Sequence, residues 1–199
     1  MITRKEMTRM LLKEGLLSWL ANNSFESVTV TSLCKASGIT RSTFYLHYSN
    51  IMEIVDDLVD DAIAYSKPGM VDNNNLQTIA NTLSAASNSV SLREAYDSIF
   101  DRLPLCQRII RHKKYLPLFL DEQISEYVLQ RIIGREKDRQ GLVIAESLGV
   151  LFDVGVSVFV FLVHGLYAVN KQYKWSQSDE WLEAQKTIFE LVYRGLQSR

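Results

Sequence analysis

Only twelve of the 199 residues are glycine or proline, nine of the first and three of the second, about half the usual share. No other feature narrows the fold so far. A β-sandwich of this length would need many tight turns, and those turns draw on glycine and proline. The chain therefore reads as all-α. Its content of 47% hydrophobic and 23% charged residues is ordinary for a globular protein and argues against a disordered or collagen-like chain. The length suits one or two domains.

Apolar residues recur near helical spacing along most of the sequence. Over 3–22, Met7, Met10, Leu11, Gly15, Leu17 and Leu20 make one side, with Arg4, Lys5, Arg9 and Lys13 on the other. A short helix follows to about Ser37. It is capped by Thr29 or Thr31, whose hydroxyl can accept from the free amides of the first turn, and stopped by Gly38. Thr40 caps the next helix, Arg41 to about His47. Asn50 caps another to about Ser66, with the apolar stripe Ile51, Ile54, Val55, Leu58 and Ala62. Lys67-Pro68-Gly69, followed by Asp72-Asn73-Asn74-Asn75, is the clearest breaker, and the chain divides there into 1–67 and 68–199. Beyond it, helices are expected over about 75–90, 91–101, 104–113, 120–134, 139–171 and 178–197, the last capped by Ser178.

The most informative run is Val30 to Tyr48. Leu33 and Ala36 are placed to face a core. Gly38 permits a sharp turn in left-handed backbone, and Ile39 plugs the corner. The second helix then offers Thr40, Arg41, Ser42, Thr43, Tyr45 and His47 outward, while Phe44 and Tyr48 hold it to the core. Short hydroxyl donors, one cation, a phenol and an imidazole suit the base edges and phosphates of a major groove. Charge agrees. Residues 1–50 carry six basic side chains against three acids, net +3, which leaves −4 for the rest of a chain whose total is −1. A small DNA-binding head on a neutral-to-acidic body has that asymmetry.

This segment, over about residues 5–60, resembles the TetR family of bacterial transcriptional regulators. The match rests on Gly38, Thr40-Arg41-Ser42-Thr43-Phe44-Tyr45 and His47-Tyr48. The resemblance implies an all-α fold, with a three-helix helix-turn-helix domain joined to a larger helical domain for effector binding and dimerisation. It implies a homodimer that dimerises through its last two helices and binds double-stranded operator DNA. Thr31 then corresponds to a phosphate contact. Thr40, Arg41, Ser42 and Thr43 correspond to base and phosphate contacts, and Tyr45 and His47 to phosphate-contacting side chains. One position departs: the family commonly opens the fourth helix with lysine, and here stands Ile51. Ile51 either lies beside the DNA backbone or begins the core stripe of its helix.

The remaining two-thirds has no comparable fingerprint. The helix over 139–171 is apolar nearly all round in its second half, and the last helix carries two stripes, Trp181, Ile188, Val192, Gly195 and Leu182, Phe189, Tyr193, Leu196. Faces of that kind ask for a second subunit as well as the chain's own core. Gly149, Gly155 and Gly165 permit close helix approach. Candidates to line an apolar effector pocket are His112, Tyr115, Phe119, Tyr127, Phe152, Phe159 and His164, with Tyr167 beside them; the competing reading of each aromatic is plain core. Arg108, Arg111, His112, Lys113 and Lys114 form a basic cluster, read as a solvated helix end.

Catalysis finds no motif: three histidines lack HExxH, and GxSxG, P-loop and GxGxxG are absent. Cys34 and Cys106 show no metal-ligand spacing and read as buried thiols of a reducing compartment. No metal, cofactor or enzyme activity is expected. Val154 to Val169 is the most lipid-like stretch, 16 residues without a charge, short of the ~20 a span needs. It reads as a core or interface helix of a cytoplasmic protein. The leading expectation is a repressor released from its operator by a small-molecule effector. The alternative keeps the DNA-binding head and puts the body under a protein partner. An enzyme or carrier with an accidental helix-turn-helix leaves the Thr40 to Tyr48 run unexplained.

Overall fold

Several N-terminal helices begin at a side chain that satisfies a free backbone N–H. In a computed structural model of the chain, the described residues are 3–66, 75–103, 107–108 and 113–197. Helix α1 (Arg4–Leu20) starts on Thr3, which accepts from the Glu6 amide while Glu6 accepts from that of Thr3. Those bonds hold the Glu6 carboxyl below its ordinary range, the Thr3 backbone N–H foremost. Helix α2 (Val30–Ser37) starts on Thr29, paired reciprocally with Ser32, so Thr29 and not Thr31 is the cap. Helix α3 (Arg41–Tyr45) starts on Thr40. Helix α4 (Ile51–Ser66) starts on Asn50, which accepts from the Glu53 amide at 3.1 Å.

Further helices are α5 (Asn75–Ser84), α6 (Ser89–Ser98), α7 (Pro117–Leu120), α8 (Ser125–Leu148), α9 (Phe152–Gln172) and α10 (Asp179–Gln197). The described residues thus hold ten α-helices and no strand, the all-α class expected. The chain divides into two compact units. One is Met1–Tyr65 with His112–Gly134; the other is Ser66–Arg111 with Arg135–Arg199. The boundary expected at 67/68 and the residue Cys106 fall outside the described residues.

In the first unit α1 turns Leu17 and Leu20 inward as expected, but not the methionines and Leu11 of its first half. Thr8, Leu12, Leu16, Leu17 and Leu20 are buried, while Met7, Met10 and Leu11 are exposed. Two apolar series overlap on this helix, and Gly15 decides between them. α2 packs so closely there that a Cβ on Gly15 would stand 3.3 Å from Leu33 Cδ1, so the leucines flanking Gly15 face inward. Leu33, Cys34, Phe44, Tyr48, Ile54, Val55, Leu58 and Ala62 complete the head's core. Ala36, expected inside, is exposed; the buried neighbour of Leu33 is Cys34, whose thiol burial pushes up.

Residues 113–134 close the same core with Tyr115, Leu118, Phe119, Ile124, Val128 and Leu129. Asp121 is their tie. Its carboxylate accepts from the amides of Gln123 (2.9 Å), Ile124 (3.2 Å) and, across the sequence, Phe25 (2.6 Å). Lys114 pairs with Glu14, and Arg131 with Asp56. Phe119 and Tyr115 are core plugs in this unit, and the pairing with Glu14 raises the Lys114 ammonium.

In the second unit α10 packs on α5 and α6. Ile79, Ala80, Leu83, Leu92, Tyr96, Trp181, Leu182 and Phe189 form the core between them. The single helix expected over 139–171 is two. α8 ends at Gly149, whose φ of +63° is left-handed, and α9 begins after Leu151. The helix expected over 120–134 is the front of the same α8. Of the three glycines thought to permit close approach, Gly155 does so: a Cβ there would stand 2.2 Å from the Gly141 carbonyl and 2.8 Å from Ala145. Gly149 is a terminator, and Gly165 has open space around it. Arg108, expected in a solvated cluster, is buried. Ser178 caps α10 as expected, accepting from the Trp181 amide.

Candidate nucleic-acid interface

The turn between α2 and α3 is set by Gly38, at φ +66° and ψ +28°. With the chain reversed there, the Ile39 amide returns to the Cys34 carbonyl at 2.9 Å and that of Gly38 to Lys35, which satisfies two of the last carbonyls of α2. Phe44, 0% exposed, then anchors α3 in the head. It meets Tyr45 edge-on at 5.2 Å and Tyr48 at 6.2 Å between ring centroids.

Around that anchor the other α3 residues face outward. Arg41 and Ser42 are exposed, Thr43 is half-buried, and Tyr45 is exposed beyond its contact with Phe44. The Thr40 hydroxyl caps the helix, accepting from the Thr43 amide at 3.2 Å, and lies 3.0 Å from Ser42 Oγ and 2.8 Å from Thr43 Oγ1. α3 is shorter than expected. It ends at Tyr45, and Leu46 and His47 form a turn in which the His47 and Tyr48 amides both return to the Phe44 carbonyl. His47 is half-buried, with Nδ1 buried and without a hydrogen-bond partner among the described residues. Thr31 is exposed on the first turn of α2. Ile51, in the first turn of α4, is half-buried.

One knot holds this surface. Tyr48 donates to Asp57 Oδ2 at 2.6 Å, Arg9 pairs with the same oxygen, and the Arg9 guanidinium lies 4.8 Å over the Tyr48 ring. The hydrogen bond to Asp57 raises Arg9 further, and burial pushes the Tyr48 phenol well above its ordinary range. Lys13 pairs with Asp61 in the same way. Two of the six N-terminal cations thus meet acids of α4. The exposed cations left are Arg4, Lys5, Lys35 and Arg41. Lys35, at the end of α2, and Leu46, 80% exposed beside α3, are surface residues the sequence reading did not single out.

The effector candidates are not gathered in one unit. Tyr115, Phe119 and Tyr127 belong to the first, and Phe152, Phe159 and His164 to the second. Tyr127 donates to Asp56 Oδ1 at 2.6 Å, which raises its phenol. Phe152 is exposed at the start of α9, and Phe159 and His164 are half-buried along it. His112 lies outside the described residues.

The second unit instead buries polar groups that the reading passed over. Gln107, Asn170 and Gln185 are all 0% exposed. Their signal was present: Asn170 continues the stripe Val163, Leu166, Tyr167, and Gln185 the stripe Trp181, Leu182, Phe189. A carboxamide on an apolar stripe is a buried polar group that needs partners. Among the described residues no group of three or more His, Cys, Asp or Glu is placed to hold a metal ion. Compared with protein-family models and with curated proteins, the chain matches none.

Proposed function

We propose that the protein is a sequence-specific DNA-binding transcriptional regulator, a repressor released from its operator by a small-molecule effector. One observation carries the reading: α3 turns Arg41, Ser42 and Tyr45 to solvent from a fully buried Phe44, directly after the left-handed turn at Gly38. A helix fixed by one aromatic and bearing a cation, hydroxyls and a phenol is fitted to enter a major groove. Tyr45 at its last position, with Thr31 and His47 outside it, serves as a phosphate contact together with them.

The regulator acts as a homodimer through α9 and α10. α9 is long and apolar enough to cross a membrane by length and composition. Within one chain it leaves Val154, Ser157, Phe161, Gly165 and Ala168 exposed along a single face, and Leu191 of α10 is exposed as well. An apolar stripe of this extent supports a protein-covered face, and open Gly165 admits a close second helix. A two-fold dimer with one α3 in each subunit calls for a near-palindromic site with half-sites about one duplex turn or a little more apart.

The test is selection of duplexes from a random pool by the full chain. Enrichment of a near-palindromic site, lost on Arg41→Ala, supports the reading. Binding no stronger than to random duplex, at low and moderate salt alike, overturns it.

A further inference from the structure

We propose that the second unit holds a buried site for a small uncharged ligand bearing a carbonyl-type oxygen, received by the carboxamides of Asn170 and Gln185. The inference rests on the reading of this unit as effector-responsive, and names the chemical class of effector.

Two hydrogen-bond relays end at this place. In the first, the Tyr96 hydroxyl donates to Gln107 Oε1 at 3.2 Å, and Gln107 Nε2 donates to Gln185 Oε1 at 2.9 Å. Gln185 Nε2 is then buried with no partner among the described residues. In the second, the Trp181 indole N–H donates to Asn170 Oδ1 at 2.9 Å. An indole nitrogen can only donate, so Asn170 must turn its oxygen to Trp181. That leaves Asn170 Nδ2 as a donor, and it too is buried without a partner. Trp181 and Gln185 stand one turn apart on α10, and so on the same side of it. On α9, Tyr167 lies three residues before Asn170, and its hydroxyl is a third buried group without a partner.

These donors are set among aromatic rings. Tyr96 meets Trp181 edge-on at 5.2 Å, and Tyr167 meets Trp175 at 5.6 Å. Trp175 reaches its buried position through left-handed backbone at Lys174 (φ +50°) and Trp175 itself (φ +56°), with its amide on the Asn170 carbonyl at 2.8 Å. Non-glycine residues adopt that conformation only at a cost. Asn170 thus anchors both the turn and Trp181, and still has two N–H bonds unmade.

A purely structural core is better served by apolar side chains at these places. A buried donor left unsatisfied loses its hydration without a replacement, and a half-satisfied network is worse than an apolar core. Buried donors left unpaired on two helices that Trp181 and Asn170 tie together, amid aromatic edges, call for an acceptor oxygen on an otherwise apolar molecule. Both relays end in neutral carboxamides, which match a neutral carbonyl oxygen.

The experiment is an NMR titration of the full ¹⁵N-labelled chain, with the side-chain NH₂ signals of Asn170 and Gln185 assigned by their loss in Asn170→Leu and Gln185→Met. The probes are acetone, cyclohexanone and acetophenone, with toluene and benzoate as controls. The expected result is a saturable downfield shift of both signals with at least one ketone, none with toluene, and at least tenfold weaker binding of that ketone to Gln185→Met. Through-bond correlation of each NH₂ pair to its own side-chain and backbone carbons assigns the same signals in the wild-type chain, so the titration stands where a variant fails to fold. Both signals unmoved by every ketone, or persistent water contacts at both NH₂ groups throughout, would overturn the site. Saturation by benzoate alone overturns the neutral class. A ketone that saturates the site while operator affinity stays unchanged supports the site and defeats the effector reading. Failure of the chain to select any operator defeats the regulator reading and leaves the ketone result standing.

Discussion

Gly15 and Ser37 share the point where α1 and α2 pack: a Cβ added at Gly15 would stand 2.1 Å from Ser37 Oγ and 3.4 Å from its Cβ. The absence of a side chain at 15 lets α2 lie against α1, and the position of α2 fixes where Gly38 releases the chain into α3. Gly15→Ala gains helix propensity, ~0.5–1 kcal/mol, and loses to overpacking, ~1–3 kcal/mol. The expected net is a destabilisation of about 1 kcal/mol. In a Ser37→Ala background the clash with Oγ is gone and the same substitution should become neutral or stabilising. Urea melts of the four proteins of this cycle check it; strictly additive effects would show that the two residues do not compete for one space.

Arg41→Ala should leave folding unchanged, because the side chain is exposed. Operator affinity should fall by about 1–3 kcal/mol, with specificity relaxed at one base position, if Arg41 reads a guanine. If it meets phosphate, affinity falls evenly over all sequences. Competition binding against a panel of single-base operator variants separates the two, and an unchanged affinity on every duplex removes Arg41 from the interface.

Tyr48 makes a prediction in alkali. Burial, and then its bond to Asp57, holds the phenol above its ordinary value. The unfolded phenol loses its proton near pH 10 while the folded one keeps it. The contribution of Tyr48 is therefore complete below about pH 10 and is lost as pH rises beyond it, at no more than ~1.4 kcal/mol per pH unit for one proton. Tyr48→Phe should lose about 0.5–1.5 kcal/mol at neutral pH and show a shallower decline above pH 10. Melts of both proteins from pH 7 to 11 test this, and parallel curves would exclude the mechanism.

How much of this could be read in advance depended on range. The caps at Thr40, Asn50 and Ser178, the stop at Gly38 and the anchoring by Phe44 are decided within four residues of sequence, and they stand where they were read. The second half of the inward face of α1, Leu17 and Leu20, is legible, whereas its first half is not: Met7, Met10 and Leu11 are as apolar as the leucines that are buried, and the choice lies with Ser37 and Leu33 on α2. Gly149 reads equally as a packing glycine or a terminator, because both ask for the same residue, and only its left-handed backbone separates them. The tie of Asp121 to the Phe25 amide spans 96 positions and leaves no local pattern. Of the candidate interface, α3 was legible nearly whole; the diversion of Arg9 and Lys13 to α4 was not, since it depends on which acids α4 turns toward α1.

Ile51 is half-buried, whereas Ile54 and Val55, the next residues of its stripe, are 0% exposed. A first-turn position of that kind admits a lysine whose stem lies along the head and whose ammonium reaches water. Ile51→Lys should therefore fold and, where the position borders DNA, tighten operator binding and steepen the salt dependence by roughly 0.9 per phosphate in each subunit. Affinity at two salt concentrations, beside a thermal melt, decides. An unchanged salt slope with a lowered melting temperature would make Ile51 a core residue of a head that lacks this contact.

Phe161 offers the sharpest test of the paired state. It is 71% exposed in the single chain, at the middle of the α9 face that runs from Val154 to Ala168, and Gly165 one turn away has open space beside it. If a second copy covers that face, Phe161 is buried twice in a two-fold interface, once from each subunit. Phe161→Glu then places two carboxylates in an apolar contact, where neither has a partner and burial of the charge is unfavourable. The chain itself should fold unchanged, since the position borders solvent in the isolated subunit. The expected outcome is a folded monomer by sedimentation at micromolar concentration, with an unaltered helical spectrum and operator binding weakened at least a hundredfold, because one half-site alone must then hold each chain. A Phe161→Leu companion should remain dimeric. If Phe161→Glu sediments as a dimer and binds operator as well as the parent chain, the α9 face is not where the subunits meet.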